Sequence, residues 1–144
     1  MGRQQRRIER GEGLPDLPVF ADCSGKDMRR LANLGTRITV AAGHWLTKSG
    51  IPGTEVLMVV SGQATCLVGG VEEARFGPGD FFGEVAALDG GPRTASVVAD
   101  TDMEILVFTG SEFEMLVKSS PEVTHRILKA MAQRLRRAND RAVA

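Results

Sequence analysis

The chain has 144 residues, 42% of them hydrophobic, which suits one domain with one core and leaves little room for a second. Lysine plus arginine and aspartate plus glutamate each total 18, so the formal net charge is zero. Proteins that bind nucleic acid through its phosphates usually have a basic excess, so we expect no specific DNA binding and a local site for any anionic ligand.

Residues 1–14 are polar and arginine-rich, and we expect a flexible basic arm ahead of a domain over residues 15–144. The N-terminus lacks the apolar h-region of a secretory signal, and no apolar run approaches the length of a membrane span. The two cysteines, Cys23 and Cys66, are far apart in sequence and are interpreted as reduced thiols. These features predict a soluble, cytoplasmic protein with no membrane span.

A short helix is predicted after the arm. Ser24 can cap it, with Asp27 three residues later, and Gly35 ends it. Three apolar residues at helical spacing give it one apolar face: Met28, Leu31 and Leu34.

Between residues 36 and 108 the sequence changes to short β-like runs separated almost everywhere by glycine or proline. Many short strands with regular turns indicate a closed antiparallel body. Gly69-Gly70 is a strong two-residue hairpin signal. We predict a mainly β fold, an eight-stranded antiparallel β-roll similar to a jelly roll. The runs are RITV, HWL, TEVLMVV, QATCLV, VEEARF, DFF, TASVVA and EILVF.

Two helices are predicted at the C-terminal end. Ser111 followed by Glu114 matches a capping box and opens a helix over residues 111–118. Ser120-Pro121 then opens a longer helix over residues 121–141, because proline is tolerated at the first helical position. Its apolar stripe has a spacing of four: Val123, Ile127, Met131 and Leu135.

The segment FGEVAALDGGPRTASV, residues 82–97, carries the candidate chemistry. Gly83 lets the backbone approach a ligand, and the run that follows is a short helix whose first amides can bind an anion. Arg93 after the Gly-Gly-Pro turn would bind a singly charged phosphate at the same point. Glu84 would repel that phosphate, so we interpret it as the acceptor for a sugar hydroxyl.

This segment closely resembles the phosphate-binding cassette of cyclic-nucleotide-binding domains. That family includes the regulatory subunits of cAMP-dependent kinases, cyclic-nucleotide-gated channels and bacterial cAMP-receptor transcription factors. The family pattern F-G-E-hydrophobic-A-x-L, a turn, then P-R-[AST]-A-[ST]-V is matched at every landmark. The similarity extends to Leu17-Pro18-Val19-Phe20, to Gly62 and to Pro78-Gly79-Asp80, and covers roughly residues 15–141.

The resemblance implies a role for each matching residue. Arg93 pairs with the phosphate, the amides of Ala86 and Ala95 bond its oxygens, and Glu84 accepts the ribose 2′-hydroxyl. Thr94 lies where a hydroxyl reaches the phosphate or the amino group of a guanine. The other cassette residues at the ligand are Phe82, Gly83 and Val85.

The resemblance also implies that the last helix supplies a lid over the base. Arg134 is the first candidate, because some channel domains use an arginine there, and Met131 and Leu135 lie beside it in the sequence. By the same analogy, the cassette helix is expected to contact the first C-terminal helix through a hinge in which Leu88 packs against Phe113 or Leu116.

The function predicted from the sequence is a stand-alone, non-catalytic regulatory module. It binds a cyclic nucleotide, with cAMP expected ahead of cGMP, and switches its C-terminal helices on binding. We expect no metal and no cofactor. The partner that detects the switch is an effector protein or a second copy joined through the C-terminal helix.

Four alternatives compete with this prediction. In the first, the domain is a β-roll scaffold that has lost its ligand. In the second, Thr94 makes the domain a cGMP-selective sensor. A metal-dependent cupin enzyme would need clustered histidines, whereas His44 and His125 are distant. A DNA-binding regulator of this family would need a helix-turn-helix after the long helix, and the sequence given ends at Ala144.

Overall fold

The computed structural model describes residues 6–8 and 23–143. The helices are α1 (Gly25–Leu34), α2 (Glu84–Asp89), α3 (Gly110–Ser119) and α4 (Pro121–Val143). The strands are β1 (Arg6–Ile8), β2 (Thr36–Val40), β3 (Trp45–Thr47), β4 (Val56–Ser61), β5 (Ala64–Val68), β6 (Val71–Phe76), β7 (Phe81–Phe82), β8 (Ser96–Ala99) and β9 (Met103–Phe108). Among the described helices, none has the combined length and apolarity that crossing a membrane requires.

Two antiparallel sheets form the β-roll. Their strand orders are β1-β2-β9-β4-β7 and β3-β8-β5-β6. The eight strands from β2 to β9 confirm the predicted fold class. The predicted hairpin joins β5 to β6, where Val68 pairs with Val71. Gly69 and Gly70 both have positive φ angles, 60° and 79°, as a tight two-residue turn between twisted strands requires.

Strand β4 divides the core in two because both of its faces are covered. Met58 belongs to the cluster that joins the roll to the helices, together with Phe108 and Phe113. Val59, on the opposite face, belongs to the cluster that fills the roll between the sheets. The continuous apolar run of β4 is therefore explained by burial on both sides.

Helix caps decide where two of the helices begin. The Ser24 side chain accepts a hydrogen bond from the Asp27 amide at 3.1 Å, which confirms the predicted cap of α1. The predicted cap of α3 is wrong. Thr109 caps that helix, and Thr109 and Glu112 form the reciprocal capping box. Two overlapping Thr/Ser-x-x-Glu patterns fit the sequence, and the end of β9 at Phe108 places the earlier one at the helix start.

Helix α2 corrects the predicted hinge. Leu88 is 60% exposed, whereas Ala87 packs against the cluster that contains Phe113 and Leu116. Successive residues on a helix point about 100° apart, so only one of these two neighbours can face the core. Ala87 is therefore the one of these two residues that packs against the cluster.

Strand β1 differs from the flexible arm expected there. It pairs antiparallel with β2, with Arg7 opposite Ile38. The edge of a sheet has unpaired backbone groups, and a neighbouring segment can hydrogen-bond to them whatever its side chains are. The polar sequence of this segment therefore gave no indication of a strand. The remainder of residues 1–22, including the predicted segment 17–20 and the boundary after residue 14, lies outside the described residues.

Candidate functional site

A cavity of about 610 Å³ lies between the β-roll and α4, a size that suits a small ligand. Apolar side chains from the strands form most of its wall, and the residues around α2 form one end. The charged and polar residues that line it are Thr47, Glu73, Glu84, Thr94, Arg134, Arg137 and Arg141.

Gly83 connects β7 to α2 at the edge of this cavity. Its φ angle is +89°, a left-handed conformation that L side chains rarely adopt. A Cβ atom there would lie 2.6 Å from Arg93 Nη1 and 2.7 Å from the Glu55 carbonyl oxygen. Both the backbone conformation and the lack of space therefore require glycine at this position.

The Arg93 side chain is held against two backbone carbonyls. It is only 8% exposed, and its Nη1 donates to the Glu55 oxygen at 2.8 Å and to the Gly83 oxygen at 3.2 Å. Within the described residues, Nε and Nη2 have no hydrogen-bond partner. Burial lowers the pKa of the guanidinium, and the carboxylates of Glu55 and Glu84 raise it. Arginine nevertheless stays protonated, so the site holds a buried cation with unused donors.

Glu84 begins α2 and is only 4% exposed. Its Oε1 accepts a hydrogen bond from Arg134 Nη1 at 2.6 Å. Its Oε2 is buried and has no hydrogen-bond partner within the described residues. A buried acceptor without a donor costs about 1–3 kcal/mol, so this oxygen is suited to a hydroxyl that enters the cavity.

Arg134 anchors α4 to the opposite wall of the cavity. Besides the bond to Glu84, its Nη2 donates to the Phe81 carbonyl. Its guanidinium carbon lies 4.9 Å from the centroid of the Phe76 ring, within the range of a cation–π contact. Phe76 stacks on Phe82 with 5.2 Å between ring centroids. An aromatic pair and a carboxylate therefore fix the arginine at the cavity.

The structure brings most of the sequence-predicted site residues to this one cavity. Those that line it are Phe82, Gly83, Glu84, Val85, Thr94, Ala95 and Arg134. Ala86 and Arg93 are buried and do not line it. Two residues of the expected lid do not line the cavity. Met131 packs against the core cluster that joins the roll to the helices, and Leu135 is 63% exposed. Leu135 lies on a different face of α4 from the cavity-lining residues, which are spaced i, i+3, i+4 and i+7. Met131, three residues before Arg134, lies near the same face but about one turn closer to the start of the helix, where α4 packs on the core.

Sequence reasoning missed several cavity residues. The spacing of Arg137 and Arg141 from Arg134 places all three on one helical face, but the sequence does not indicate that this face meets the cavity. Glu73 had no local signal, because its opposition to α4 depends on the tertiary fold. Cys66 also lines the cavity, and burial raises the pKa of its thiol.

The family profile described as cyclic nucleotide-binding domain matches residues 37–120. The match covers more than half of the 144-residue chain and includes both Gly83 and Arg93. The chain belongs to the cyclic nucleotide-binding domain family.

Two curated relatives show how this cyclic nucleotide-binding domain relates to longer proteins. A cyclic nucleotide-gated potassium channel of Mesorhizobium japonicum is 38% identical over 96 residues, which are 67% of this chain and 26% of the channel. The cyclic AMP receptor protein of Thermus thermophilus is 37% identical over 127 residues, covering 85% of this chain and 59% of that protein. The chain therefore spans about a quarter to three-fifths of these two relatives.

A solved structure shares the architecture of this cyclic nucleotide-binding domain. The catabolite activator protein of Thermus thermophilus superposes with a TM-score of 0.75 and 30% identity, over 87% of this chain and 61% of that one. The described part of the domain contains no group of three or more histidine, cysteine, aspartate or glutamate side chains placed to hold a metal ion.

Proposed function

We propose that this domain binds cAMP and acts as a non-catalytic regulatory module. One observation carries the proposal: Arg93 and Glu84 are buried side chains of opposite charge beside Gly83, and each has hydrogen-bonding capacity that the described residues do not use. Arg93 has unused N–H donors and Glu84 has a buried acceptor oxygen without a donor. A cyclic nucleotide can bond both residues at once, because its singly charged phosphate and its 2′-hydroxyl are attached to the same ribose.

The phosphate would lie at Gly83 and the first turn of α2, beside the guanidinium of Arg93. Bonds between a guanidinium and a phosphate are charge-assisted and stronger than neutral ones. The amides of Glu84, Val85 and Ala86 have no acceptor inside α2, because an α-helical bond reaches back four residues. The Ala86 amide and that of Ala95 are the two we assign to the phosphate oxygens.

The base would lie beside the ribose, between β6 and α4. Phe76 and Arg134 are there, and a planar guanidinium can stack on a purine ring as well as on phenylalanine. Arg134 bonds only Oε1 of Glu84, so Oε2 can accept the 2′-hydroxyl while that ion pair persists. We therefore retain Arg134 as the lid residue, without Met131 and Leu135.

The choice between the two nucleotides depends on Thr94, which lines the cavity. Its hydroxyl can bond the 2-amino group of a syn guanine, which favours cGMP. One hydrogen bond contributes about 0.5–1.5 kcal/mol, so this preference cannot exceed about tenfold. The relative from Thermus thermophilus is named a cyclic AMP receptor protein, which supports cAMP.

Titration calorimetry with both nucleotides tests the proposal. We expect a Kd for cAMP in the nanomolar to micromolar range, about −12 to −8 kcal/mol, and a Kd for cGMP that is no lower. If neither nucleotide at millimolar concentration releases heat or raises the melting temperature, the domain is a scaffold without a ligand. A cGMP affinity far above that for cAMP would instead identify a cGMP sensor.

Replacing Glu84 with alanine should weaken cAMP binding about 5- to 150-fold, because it leaves the 2′-hydroxyl without its buried acceptor, a loss of about 1–3 kcal/mol. The affinity for 2′-deoxy-cAMP should change much less. The matched control is Glu72→Ala, whose carboxylate is half-exposed and pairs with Arg75 outside the cavity. Equal losses for both nucleotides would show that Glu84 serves the fold or Arg134 instead of the ribose.

Helix α4 would report the binding event, since Arg134 connects it to the ligand end of the cavity. Leu128 and Leu135 are 59% and 63% exposed on this helix. We propose this helix as the contact for the effector protein or for a second copy of the chain. The proposed module acts through that contact and needs no catalytic group of its own.

A further inference from the structure

The distal half of α4 is not held down by apolar burial. Ile127 is its last buried residue, at 5% exposure, and residues 135–141 are all exposed. At a rise of about 1.5 Å per residue, Arg141 lies about 21 Å further along the helix axis than Ile127. Polar contacts must therefore keep this half of the helix against the β-roll.

Arg134 makes one set of those contacts, and Arg141 makes the other. Arg141 Nη1 pairs with the carboxylate of Glu73, and its Nη2 donates to the Glu73 carbonyl oxygen at 2.7 Å. Glu73 belongs to β6, and both residues line the cavity. The pair thus joins the end of α4 to the opposite wall of the cavity.

We propose that Glu73 and Arg141 are positioning residues that form a clasp, which holds α4 over the cavity and slows the release of a bound nucleotide. The inference rests on the proposed function of the cavity. The clasp touches neither the phosphate site at Gly83 nor the carboxylate of Glu84, so it acts on the ligand through the position of α4.

The exposure of the pair sets the size of its effect. The side chains of Arg141 and Glu73 are 49% and 33% exposed, so water and salt weaken their attraction. Such a pair opens readily and does not seal the cavity. It lowers the fraction of time for which α4 is displaced, and a bound nucleotide leaves during that time. Dissociation should therefore depend on the clasp, and association should depend on it much less.

Stopped-flow dissociation of a fluorescent cAMP analogue from the full chain tests the clasp. Arg141→Ala should raise koff about two- to fivefold, the range expected of one partly exposed ion pair, and change kon less than twofold. Arg136→Ala is the matched control, because Arg136 is an exposed arginine on the same helix that does not line the cavity. Its koff should equal that of the wild type.

A charge swap separates the clasp from a general effect on the helix. Arg141→Glu and Glu73→Arg should each speed dissociation, and the double variant should return koff toward the wild-type value. Higher salt should raise koff of the wild type more than that of Arg141→Ala. If Arg141→Ala dissociates like Arg136→Ala, or if the double variant recovers nothing, the clasp is wrong while nucleotide binding stands. If the wild type binds no cyclic nucleotide, the proposed function fails and the clasp fails with it.

Discussion

Arg93→Ala should lower the affinity for cAMP at least about thirtyfold. Removing one member of a buried charge pair costs about 2–5 kcal/mol, and every 1.4 kcal/mol is a factor of ten in Kd. The effect should be large because Arg93 is 8% exposed and its Nε and Nη2 donors have no other partner among the described residues. Calorimetric titration of the variant measures the loss.

The same substitution also removes two structural hydrogen bonds. Arg93 Nη1 bonds the carbonyls of Glu55 and Gly83, so we expect the variant to unfold at a lower temperature but still cooperatively. Arg75→Ala is the control, since the side chain of Arg75 is 72% exposed and pairs with Glu72 away from the cavity. Wild-type affinity in a folded Arg93→Ala variant would remove Arg93 from the site and leave the phosphate assignment without support.

Much of the β-roll was predictable because its signals are local. Strand β6 has the same bounds as the predicted run VEEARF: it begins directly after the Gly-Gly turn and ends at Phe76. Strand β1 was not predictable in this way, because its partner is the free edge of β2 and its own sequence has no strand pattern. The α3 cap failed for a different reason: two overlapping patterns were equally good, and only the end of β9 decides between them.

The site was predictable where its residues are close in sequence. The segment from Phe82 to Ala95 supplies one end of the cavity, and a short run of glycines, a carboxylate and an arginine carries that information. The opposite wall comes from α4, about 50 residues later, where Arg134 meets Glu84. Which face of a helix meets a sheet depends on tertiary packing. The apolar stripe of α4 predicts the face that packs on the core, but it does not indicate what the face with the arginines contacts.

The two glycines that flank α2 allow backbone strain to be separated from crowding. Gly83 and Gly90 cap the two ends of the helix with φ angles of +89° and +74°. Nothing lies within 4 Å of a Cβ added at Gly90, whereas one added at Gly83 meets Arg93 at 2.6 Å and the Glu55 carbonyl at 2.7 Å. An alanine is strained at either position, but only at Gly83 must neighbouring atoms move.

Gly83→Ala should therefore damage both stability and binding, while Gly90→Ala should affect stability alone. The left-handed conformation costs an alanine about 1–2 kcal/mol at each position. At Gly83, overpacking adds about 1–3 kcal/mol, because the Glu55 carbonyl is backbone and cannot rotate away. Urea unfolding of the two variants measures this difference.

Relief of the crowding at Gly83 has to come from Arg93, whose guanidinium is the movable neighbour. That movement would displace the guanidinium from the phosphate position, so we expect the affinity of Gly83→Ala for cAMP to fall at least tenfold. Gly90→Ala should bind within about threefold of the wild type, a loss below about 0.7 kcal/mol, because Gly90 does not line the cavity and an added Cβ there meets no other atom. If the two variants lose stability and affinity to the same extent, Arg93 does not depend on the space that Gly83 leaves, and the close approach at this glycine has no part in holding the phosphate.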